Sequence, residues 1–487
     1  MTYDWKRAVF YEIFPDRFAR SERVEKVGVF EEWDSPPSVY GFKGGDLYGV
    51  VEHLDYLRDL GINAIYLTPV FTSTANHRYH TTDYFNVDPI LGGMPAFDAL
   101  IKSAHERDMR IIIDGVFNHA SRSFLQFAHT AENGSASPYI DWFHFDQSAL
   151  KDGGGIVPYG RMRGNSDIQK FGYRCWWGLP ALPKFNTYNP EVIEFALKVA
   201  RFWTERGIDG WRFDVPEEIE NPDFWPLFCA QVREVNPSCY LTGEIWENGS
   251  SWVTENLFDS IMNYELAKKI IGFTVDESPA KSVVQNSNYR DIQPLDAESV
   301  ADWIDSYFKL FDSESLLRQL NLLGSHDTPR TFTILRQNPR KHLFAHALIY
   351  LLPGLPCVYY GDEIGLTGGK DPHCRKTIPS EIFNNAFENS IYKGLSDLAS
   401  LRKEHSVLRD GKYRRAIAKG DIFSFYRQDS ETCFLCIFNK SRFGTAFKYP
   451  DEFQPSRLIY PAGGDLHDML LAPHSFRIIS GKTLQRF

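Results

Sequence analysis

The sequence lacks the features that mark several other classes of protein. Among 487 residues, 63 acidic side chains outnumber 53 basic ones, and no lysine-rich patch or basic arm is present, which argues against nucleic acid as a partner. The N-terminus has no apolar signal-peptide core. The longest apolar run, residues 344–360, contains His346, Pro353 and Pro356, so it predicts a buried helix followed by a strand and no membrane span.

Cysteine is scarce, whereas aromatic residues are abundant. The seven cysteines are odd in number, and the closest pair, Cys433 and Cys436, has no further Cys or His nearby to complete a metal site. Reduced thiols in a cytoplasmic protein are the simplest interpretation. Aromatic residues make up 15% of the chain, and flat rings suit stacking on sugar faces.

Apolar strand-like runs alternate with segments of helical periodicity along most of the chain. A helix pattern follows Asp46 and ends at Gly61, and a second apolar helix face precedes Gly207. Near-continuous β-branched runs suit parallel strands that are buried on both faces. The alternation predicts an α/β fold, a parallel (β/α)₈ barrel. Its strands are predicted at residues 8–14, 62–67, 110–117, 207–215, 239–244, 260–263, 320–323 and 357–360.

Two regions depart from this rhythm. One is a long irregular stretch after the third strand, rich in Gly, Pro and aromatic residues, which predicts an inserted subdomain. The other consists of short alternating strands near the end of the chain, which predict a C-terminal antiparallel β domain. The predicted division is a barrel of residues 1–119 and 190–410, an inserted B subdomain of residues 120–189 and a C-terminal β-sandwich of residues 411–487.

The fourth predicted strand brings a cation and an acid together. Arg212 and Asp214 lie two residues apart and therefore share one face of the strand. A guanidinium beside a carboxylate favours the ionised acid, which a carboxylate nucleophile requires. Taken alone, the spacing fits an ion pair in the barrel interior at least as well.

Other strand ends direct further acids at the same mouth of the barrel. Asp114 ends the third strand, Glu244 the fifth and Asp327 the seventh. Crowded anions raise one another's pKa and cost stability, so a purely structural explanation is poor. The arrangement suits cleavage of a glycosidic bond with retention. Asp214 would attack the anomeric carbon, Glu244 would protonate the departing oxygen, and Asp327 would hold substrate hydroxyls.

A metal centre is the rival interpretation of these side chains. Histidines at the spacing of a zinc-binding helix are absent, and Arg212 would repel a cation, so we expect no catalytic metal.

The segments that carry these residues are residues 114–119, 210–215, 243–246 and 323–330. In order and spacing they resemble the four conserved regions of the α-amylase superfamily, glycoside hydrolase family 13. Residues 182–186 and 360–369 resemble its neopullulanase, cyclomaltodextrinase and maltogenic amylase branch. The resemblance runs from about Ala8 to the end of the chain.

The resemblance implies a role for each site residue. Asp214 would be the nucleophile, Glu244 the acid/base and Asp327 the transition-state stabiliser, in agreement with the assignment from the residues themselves. Tyr79 would stack on the sugar at the cleavage site. Further predicted substrate contacts are His119, Arg212, His326, Glu218, Phe185 and Trp246. For Phe185, as for Trp176 and Trp177, packing within the insert is at least as good an interpretation.

Three departures from the branch bear on specificity. The separate N-terminal domain that takes part in dimerisation and walls the cleft in relatives is missing from this sequence, so we expect a more open cleft or another interface, such as a homodimer. Pro216 and Glu217 replace the Ala-Asn usual after the nucleophile, in a loop that borders the leaving group. His80 replaces an aspartate that commonly follows the stacking tyrosine.

No cofactor is expected, and calcium is left open. Asn118 resembles a calcium ligand of other amylases, whereas the Asn/Asp-rich loop that binds calcium in some relatives is absent after Arg20.

The predicted function is a cytoplasmic retaining glycoside hydrolase that cleaves α-1,4 and/or α-1,6 bonds in maltooligosaccharides, branched α-glucans or pullulan. The altered loop adds a debranching preference as an alternative, and the choice between α-1,4 and α-1,6 bonds stays open. Two alternatives are a 4-α-glucanotransferase and a non-catalytic sugar-binding relative, and the three retained acids argue against the latter.

Overall fold

A computed structural model of the chain describes residues 3–146, 150 and 166–483. Eight parallel strands form one sheet: β1 Phe10–Ile13, β2 Ala64–Leu67, β3 Arg110–Gly115, β4 Gly210–Phe213, β5 Tyr240–Gly243, β6 Ser260–Ile261, β7 Leu320–Leu322 and β8 Leu355–Tyr359. Their order is β6-β5-β4-β3-β2-β1-β8-β7. A parallel bridge between Met262 and Leu320 joins the two end strands and closes the ring. The predicted (β/α)₈ barrel is confirmed.

The helices alternate with the strands along most of the chain. They are α1 Pro15–Phe18, α2 Leu47–Glu52, α3 Leu54–Leu60, α4 Gly93–His105, α5 Leu125–Asn133, α6 Asp167–Phe171, α7 Pro190–Glu205, α8 Phe224–Val235, α9 Tyr264–Thr274, α10 Lys281–Val284, α11 Ala297–Phe308, α12 Ser313–Arg318, α13 Thr331–Ile334, α14 Pro339–Leu351, α15 Ile382–Asn385, α16 Ser390–Glu404 and α17 Val407–Asp410. The apolar run at residues 344–360 forms the end of α14 and strand β8, as predicted.

The first predicted barrel helix is divided in the structure. Asp46 caps its start by accepting a hydrogen bond from the Gly49 N–H, and Gly61, at φ 92°, ends it. Between them His53 leaves the helical region of backbone space, with φ −114° and ψ 16°, and separates α2 from α3. The His53 ring stacks on Phe383, 3.6 Å between centroids, a contact that the helix pattern did not predict.

The chain leaves the barrel after β3 and returns at α7. The described part of this excursion contains α5, α6 and an aromatic cluster, whereas residues 147–149 and 151–165 of the predicted insert lie outside the described residues. A separate antiparallel hairpin, Phe71–Ser73 with Thr81–Val87, follows β2 and carries Tyr79 in its connecting turn.

An antiparallel sheet ends the described chain, as predicted. Its strands are β9 Lys412–Lys419, β10 Ile422–Gln428, β11 Cys433–Asn439, β13 Phe453–Tyr460 and β15 Ser475–Thr483, while β12 Thr445–Ala446 pairs with β14 Leu470–Leu471. Phe423 packs edge-on against Phe273 of α9, and Phe438 against Phe344 of α14, so the sheet is attached to the barrel through an aromatic layer. The predicted domain boundaries stay predictions.

The seven cysteines are all buried and form no disulfide. Among the described residues, no helix has both the length and the apolar character needed to cross a bilayer.

Candidate active site

Arg212 lies at the centre of the acids at the barrel mouth. Strand register sets it opposite Asp114 on β3, and its Nη1 donates to both Asp114 oxygens, at 2.9 and 2.8 Å. The same nitrogen donates to Asp214 Oδ1 at 3.2 Å. Its other terminal nitrogen lies 2.9 Å from Glu244 Oε2, without the alignment of a hydrogen bond. One buried guanidinium therefore compensates three carboxylates from three consecutive strands.

Glu244 is held by two further donors. The Val215 N–H donates to Oε2 at 3.0 Å, and the Trp246 indole N–H donates to Oε1 at 2.9 Å. The Trp246 ring stacks on Tyr264, with centroids 3.8 Å apart, which fixes the indole. Trp246, predicted to contact substrate, is thus placed where it orients the acid.

Val215 adopts a conformation that β-branched residues rarely take. Its φ of 36° and ψ of 54° lie in the left-handed region, immediately after Asp214. Such strain persists only where the surroundings impose it, and it is concentrated at functional sites. Here it directs the Val215 N–H to Glu244.

The pKa values of Asp214 and Glu244 are both raised. Burial is the main cause for each carboxyl; for Asp214 the neighbouring Glu244 adds to it, while Arg212 opposes the shift in both. The sequence predicts an ionised Asp214 beside a protonated Glu244, and this assignment stays a prediction.

Asp327 belongs to a second ion-pair group on the opposite side of the mouth. His326 Nε2 lies 3.1 Å from Asp327 Oδ2, its Nδ1 lies 2.7 Å from Glu12 Oε1, and Arg375 donates to Asp327 Oδ1 at 3.1 Å. Burial lowers the pKa of His326, but Asp327 and Glu12 outweigh burial and raise it to about 10. Burial raises the pKa of Asp327, but His326 and Arg375 outweigh it and hold this pKa well below its usual range.

Tyr79 joins the two groups. Its hydroxyl donates to Asp114 Oδ2 at 2.8 Å and lies 2.6 Å from His326 Nε2, and the two rings are stacked at 14°. The turn of the hairpin after β2 thus sets the predicted sugar-stacking ring directly against the charged residues of the mouth.

His119 lies beside this tyrosine, fully buried. Burial, together with nearby His80 and Lys184, lowers the pKa of His119 to about 3, so the ring is neutral at physiological pH. Its Nε2 has no hydrogen-bond partner among the described residues. A buried neutral imidazole with an unused nitrogen suits a substrate hydroxyl.

Two predicted contacts have a different setting. Glu218 lies in the short helical turn after Val215 and pairs with Lys184, whose Nζ donates to the Glu218 carbonyl at 2.9 Å. Phe185 is 5% exposed and stacks on Phe143 inside the insert, 4.9 Å between centroids. This enclosure favours the packing interpretation, and the predicted substrate contact stays a prediction.

Sequence reasoning missed Glu12 and Arg375 as members of the site. Glu12 is a fully buried carboxylate within apolar β1, and a lone acid in a buried strand is itself a signal, since such groups need a partner. Arg375 comes from the long segment after β8, and nothing in its local pattern marks it.

The surroundings of Asn118 do not fit calcium. Asn118 Oδ1 is buried and has no partner among the described residues. It lines a cavity of about 10 Å³ together with Lys184, whose ammonium group already meets the Glu218 oxygens. A lysine amine beside the oxygens that a hard cation would need makes this a poor calcium site.

One other group of described residues has metal-ligating atoms in proximity. Ligand atoms of His342, His346 and Asp362 lie within 4.8 Å of one another, all buried. Asp362 Oδ1 already accepts from Arg330 at 3.1 Å, and each imidazole contacts a backbone carbonyl. These contacts describe a polar network that joins α14 to the segments after β7 and β8.

Comparisons with known proteins agree with this geometry. The family described as alpha amylase, catalytic domain, matches residues 12–406. A cyclomaltodextrinase from a Bacillus species is 35% identical over 443 residues, which cover 90% of this chain and 74% of that protein. Several solved structures match at nearly full length, two of which illustrate the range.

The first solved structure is the Nostoc punctiforme debranching enzyme soaked with acarbose. It is 39% identical with a TM-score of 0.85, covering 99% of this chain and 100% of that one. The second is the cyclic α-maltosyl-(1→6)-maltose hydrolase from Arthrobacter globiformis, 32% identical with a TM-score of 0.84, covering the same shares.

Proposed function

Since this chain belongs to the α-amylase family and is a glycoside hydrolase acting on α-glucans, we propose that it cleaves their glucosidic bonds by double displacement. The observation that carries the proposal is the sharing of Arg212 by Asp114, Asp214 and Glu244, with Asp327 across the same mouth. A nucleophile and a proton donor then lie on either side of one cation.

In the first step Asp214 attacks the anomeric carbon and the bond to the glycosidic oxygen breaks. Glu244 gives its proton to that oxygen, so the pair must carry one proton, on Glu244, when the substrate arrives. Positive charge that develops on the sugar is stabilised by Asp327, which His326 and Arg375 keep ionised.

In the second step Glu244 takes a proton from water, and the hydroxide attacks the same carbon and displaces Asp214. Arg212 stabilises Asp214 as it is released as a carboxylate. Retention of the anomeric configuration follows from two inversions.

We further propose that α-1,6 bonds at branch points are the preferred linkage. Two of the solved structures that match at nearly full length are named for a debranching enzyme and for a hydrolase of an α-(1→6)-containing cyclic maltoside. Pro216 and Glu217 begin the turn after the nucleophile. Burial is the main cause that raises the pKa of Glu217, and the negative charges of nearby Glu247 and Glu244 raise it further. This loop would select the leaving group.

The test is product analysis of the purified protein on a linear maltooligosaccharide, pullulan and a branched maltooligosaccharide. Cleavage confined to the branched substrates, with release of linear chains, is the expected result. Cleavage of the linear substrate to maltose and glucose would contradict the linkage preference, and products longer than the substrate would identify a glucanotransferase. In Asp214→Asn, turnover should be abolished with the fold intact.

A cytoplasmic location is part of the proposal. The seven buried, unpaired thiols suit a reducing compartment. The homodimer expected from the sequence stays a prediction.

A further inference from the structure

Three aromatic rings form a stack that leads from the catalytic mouth to the surface. His119 stacks on Trp176 with centroids 5.1 Å apart, and Trp176 stacks on Trp177 at 4.8 Å, each pair within 17° of parallel. His119 is fully buried, Trp176 is partly exposed and Trp177 is 76% exposed. The outer face of Trp177 is therefore turned to solvent at the end of a stack that begins at a predicted sugar contact.

The backbone of Trp177 is strained. Its φ of 50° and ψ of 29° lie in the left-handed region, where a bulky residue is an outlier and glycine is favoured. A largely exposed indole gains little from burial, so packing does not account for a tryptophan in this conformation. Such outliers are concentrated at functional sites.

The turn that carries Trp177 is held in place on both sides. The Trp176 N–H donates to the Leu182 carbonyl at 2.9 Å, and Cys175 pairs with Pro183 in an isolated antiparallel bridge. Beyond this bridge Lys184 and Arg174 bind Glu218 and Glu220, in the segment that follows Asp214. The indole is thus presented by a hairpin anchored to the catalytic loop, which lowers the entropic cost of binding.

We propose that the outer face of Trp177 is a carbohydrate-binding platform for a glucose residue of the α-glucan chain, outside the sugar position at the scissile bond. The proposal rests on the proposed function. Trp176 covers one face of the indole, and the other is free to take the C–H face of a pyranose ring, as aromatic side chains in carbohydrate sites do. Only substrates long enough to reach the platform gain from it.

The Trp177→Gly variant distinguishes a role in binding from a role in folding. It removes the indole ring, which should weaken binding, and it relieves the strained φ, which should not destabilise the fold. With substrates that share the scissile bond cleaved by the wild type and differ in chain length, we expect kcat/KM for the long substrate to fall by about 10-fold, chiefly through KM. The short substrate should change much less, and the Tm should stay equal or rise. Trp177→Tyr should restore most of the loss.

Two controls match the two physical changes. Gln337, also exposed and at φ 56°, lies in a turn outside the catalytic mouth, and Gln337→Gly should relieve strain without altering the long-to-short ratio. Phe443 is an exposed ring, 67%, beside the C-terminal sheet, and Phe443→Ala should also leave the ratio unchanged. A lowered Tm in Trp177→Gly with an unchanged ratio would show that the ring is structural and overturn the proposal.

A binding measurement distinguishes failure of the platform from failure of the proposed function. Maltoheptaose is titrated into Asp214→Asn, with and without Trp177→Gly, by calorimetry and by quenching of tryptophan emission. Weaker binding without Trp177 supports the platform even if the wild type cleaves no glucan, in which case the proposed function is wrong. Equal Kd values, or no binding to either protein, overturn the platform whatever the hydrolytic activity.

Discussion

Two buried arginines at the same end of the barrel each form an ion-pair group with carboxylates, but the two groups differ in their surroundings. Arg212 is shared by Asp114, Asp214 and Glu244, whereas Arg330 pairs with Asp362 and donates to the carbonyls of Tyr360 and Cys374. Both arginines are fully buried. Their carboxylate partners therefore do not by themselves reveal which group performs chemistry.

The groups differ in what lies around them. The Arg212 group lies near Asp327, whose side chain is 33% exposed, and it contains the strained Val215. The Arg330 group is buried against α14, next to the imidazoles of His342 and His346. Partial exposure to solvent and backbone strain distinguish a reaction site from a structural ion pair.

The largest expected effect follows from exchanging one carboxyl for an amide in each group. Glu244→Gln should reduce kcat by about 10²–10⁴-fold, because the amide cannot give up a proton to the leaving group. Asp362→Asn, the matched change beside Arg330, should leave kcat close to that of the wild type. Kinetics on the preferred glucan, with Tm measured in parallel, test the contrast; an equal loss of kcat in both variants at unchanged Tm would contradict it.

The next effect concerns stability. Arg330→Met should lower the free energy of unfolding by about 3–5 kcal/mol, because it leaves Asp362 and two backbone carbonyls buried without their donor. Arg212→Met should cost at least as much, because it leaves the buried Asp114, Asp214 and Glu244 without their cation, and it should also abolish activity. Urea unfolding of both variants measures the two losses in free energy of unfolding, and a smaller loss in Arg212→Met than in Arg330→Met would contradict this prediction.

The smallest effect is a pH dependence that differs between the groups. The folded-state pKa of His326 is about 10, above the roughly 6.5 expected when unfolded, so its stabilising contribution is complete below about pH 6.5 and lost as pH rises towards 10, with a slope of at most about 1.4 kcal/mol per pH unit. For Asp362, burial and the nearby Glu363 raise the pKa to about 7 despite Arg330. Protonation of this carboxyl therefore favours the folded state, and stability falls as pH rises from about 4 to 7.

Unfolding titrations check these windows. His326→Gln should flatten the dependence of stability on pH only above about pH 6.5, and Asp362→Asn only below about pH 7. If either variant flattened the pH dependence of stability in the range assigned to the other, the two groups would not be electrostatically separate.

Sequence periodicity predicted the barrel because parallel buried strands and their helices repeat strongly along the chain. The spacing of Arg212 and Asp214 also predicted their contact, since alternation along one strand suffices for it. The division at His53 was missed because the apolar spacing continues across it, and its contact with Phe383, more than 300 residues away in the chain, leaves no local signal.

The electrostatics of the site were less predictable than its membership. Which acid carries the proton depends on how Arg212 divides its contacts and on the donors to Glu244, and these are set by loop geometry. Arg375 could not be found for the same reason, because tertiary packing alone brings it to Asp327. The role of Phe185 was left open by the sequence, because an aromatic residue in such a motif fits core packing as well as substrate contact.

The residue that closes the barrel also contacts the arginine of the candidate active site. Met262 forms the bridge that closes the ring, and its sulfur lies 3.4 Å from the Nε of Arg212. A folding intermediate with seven of the eight strand pairings formed would keep nearly all of its backbone hydrogen bonds and lack only the Met262 contact at the guanidinium, which its three carboxylates would still bind. Full catalytic activity would then appear with the final step of ring closure.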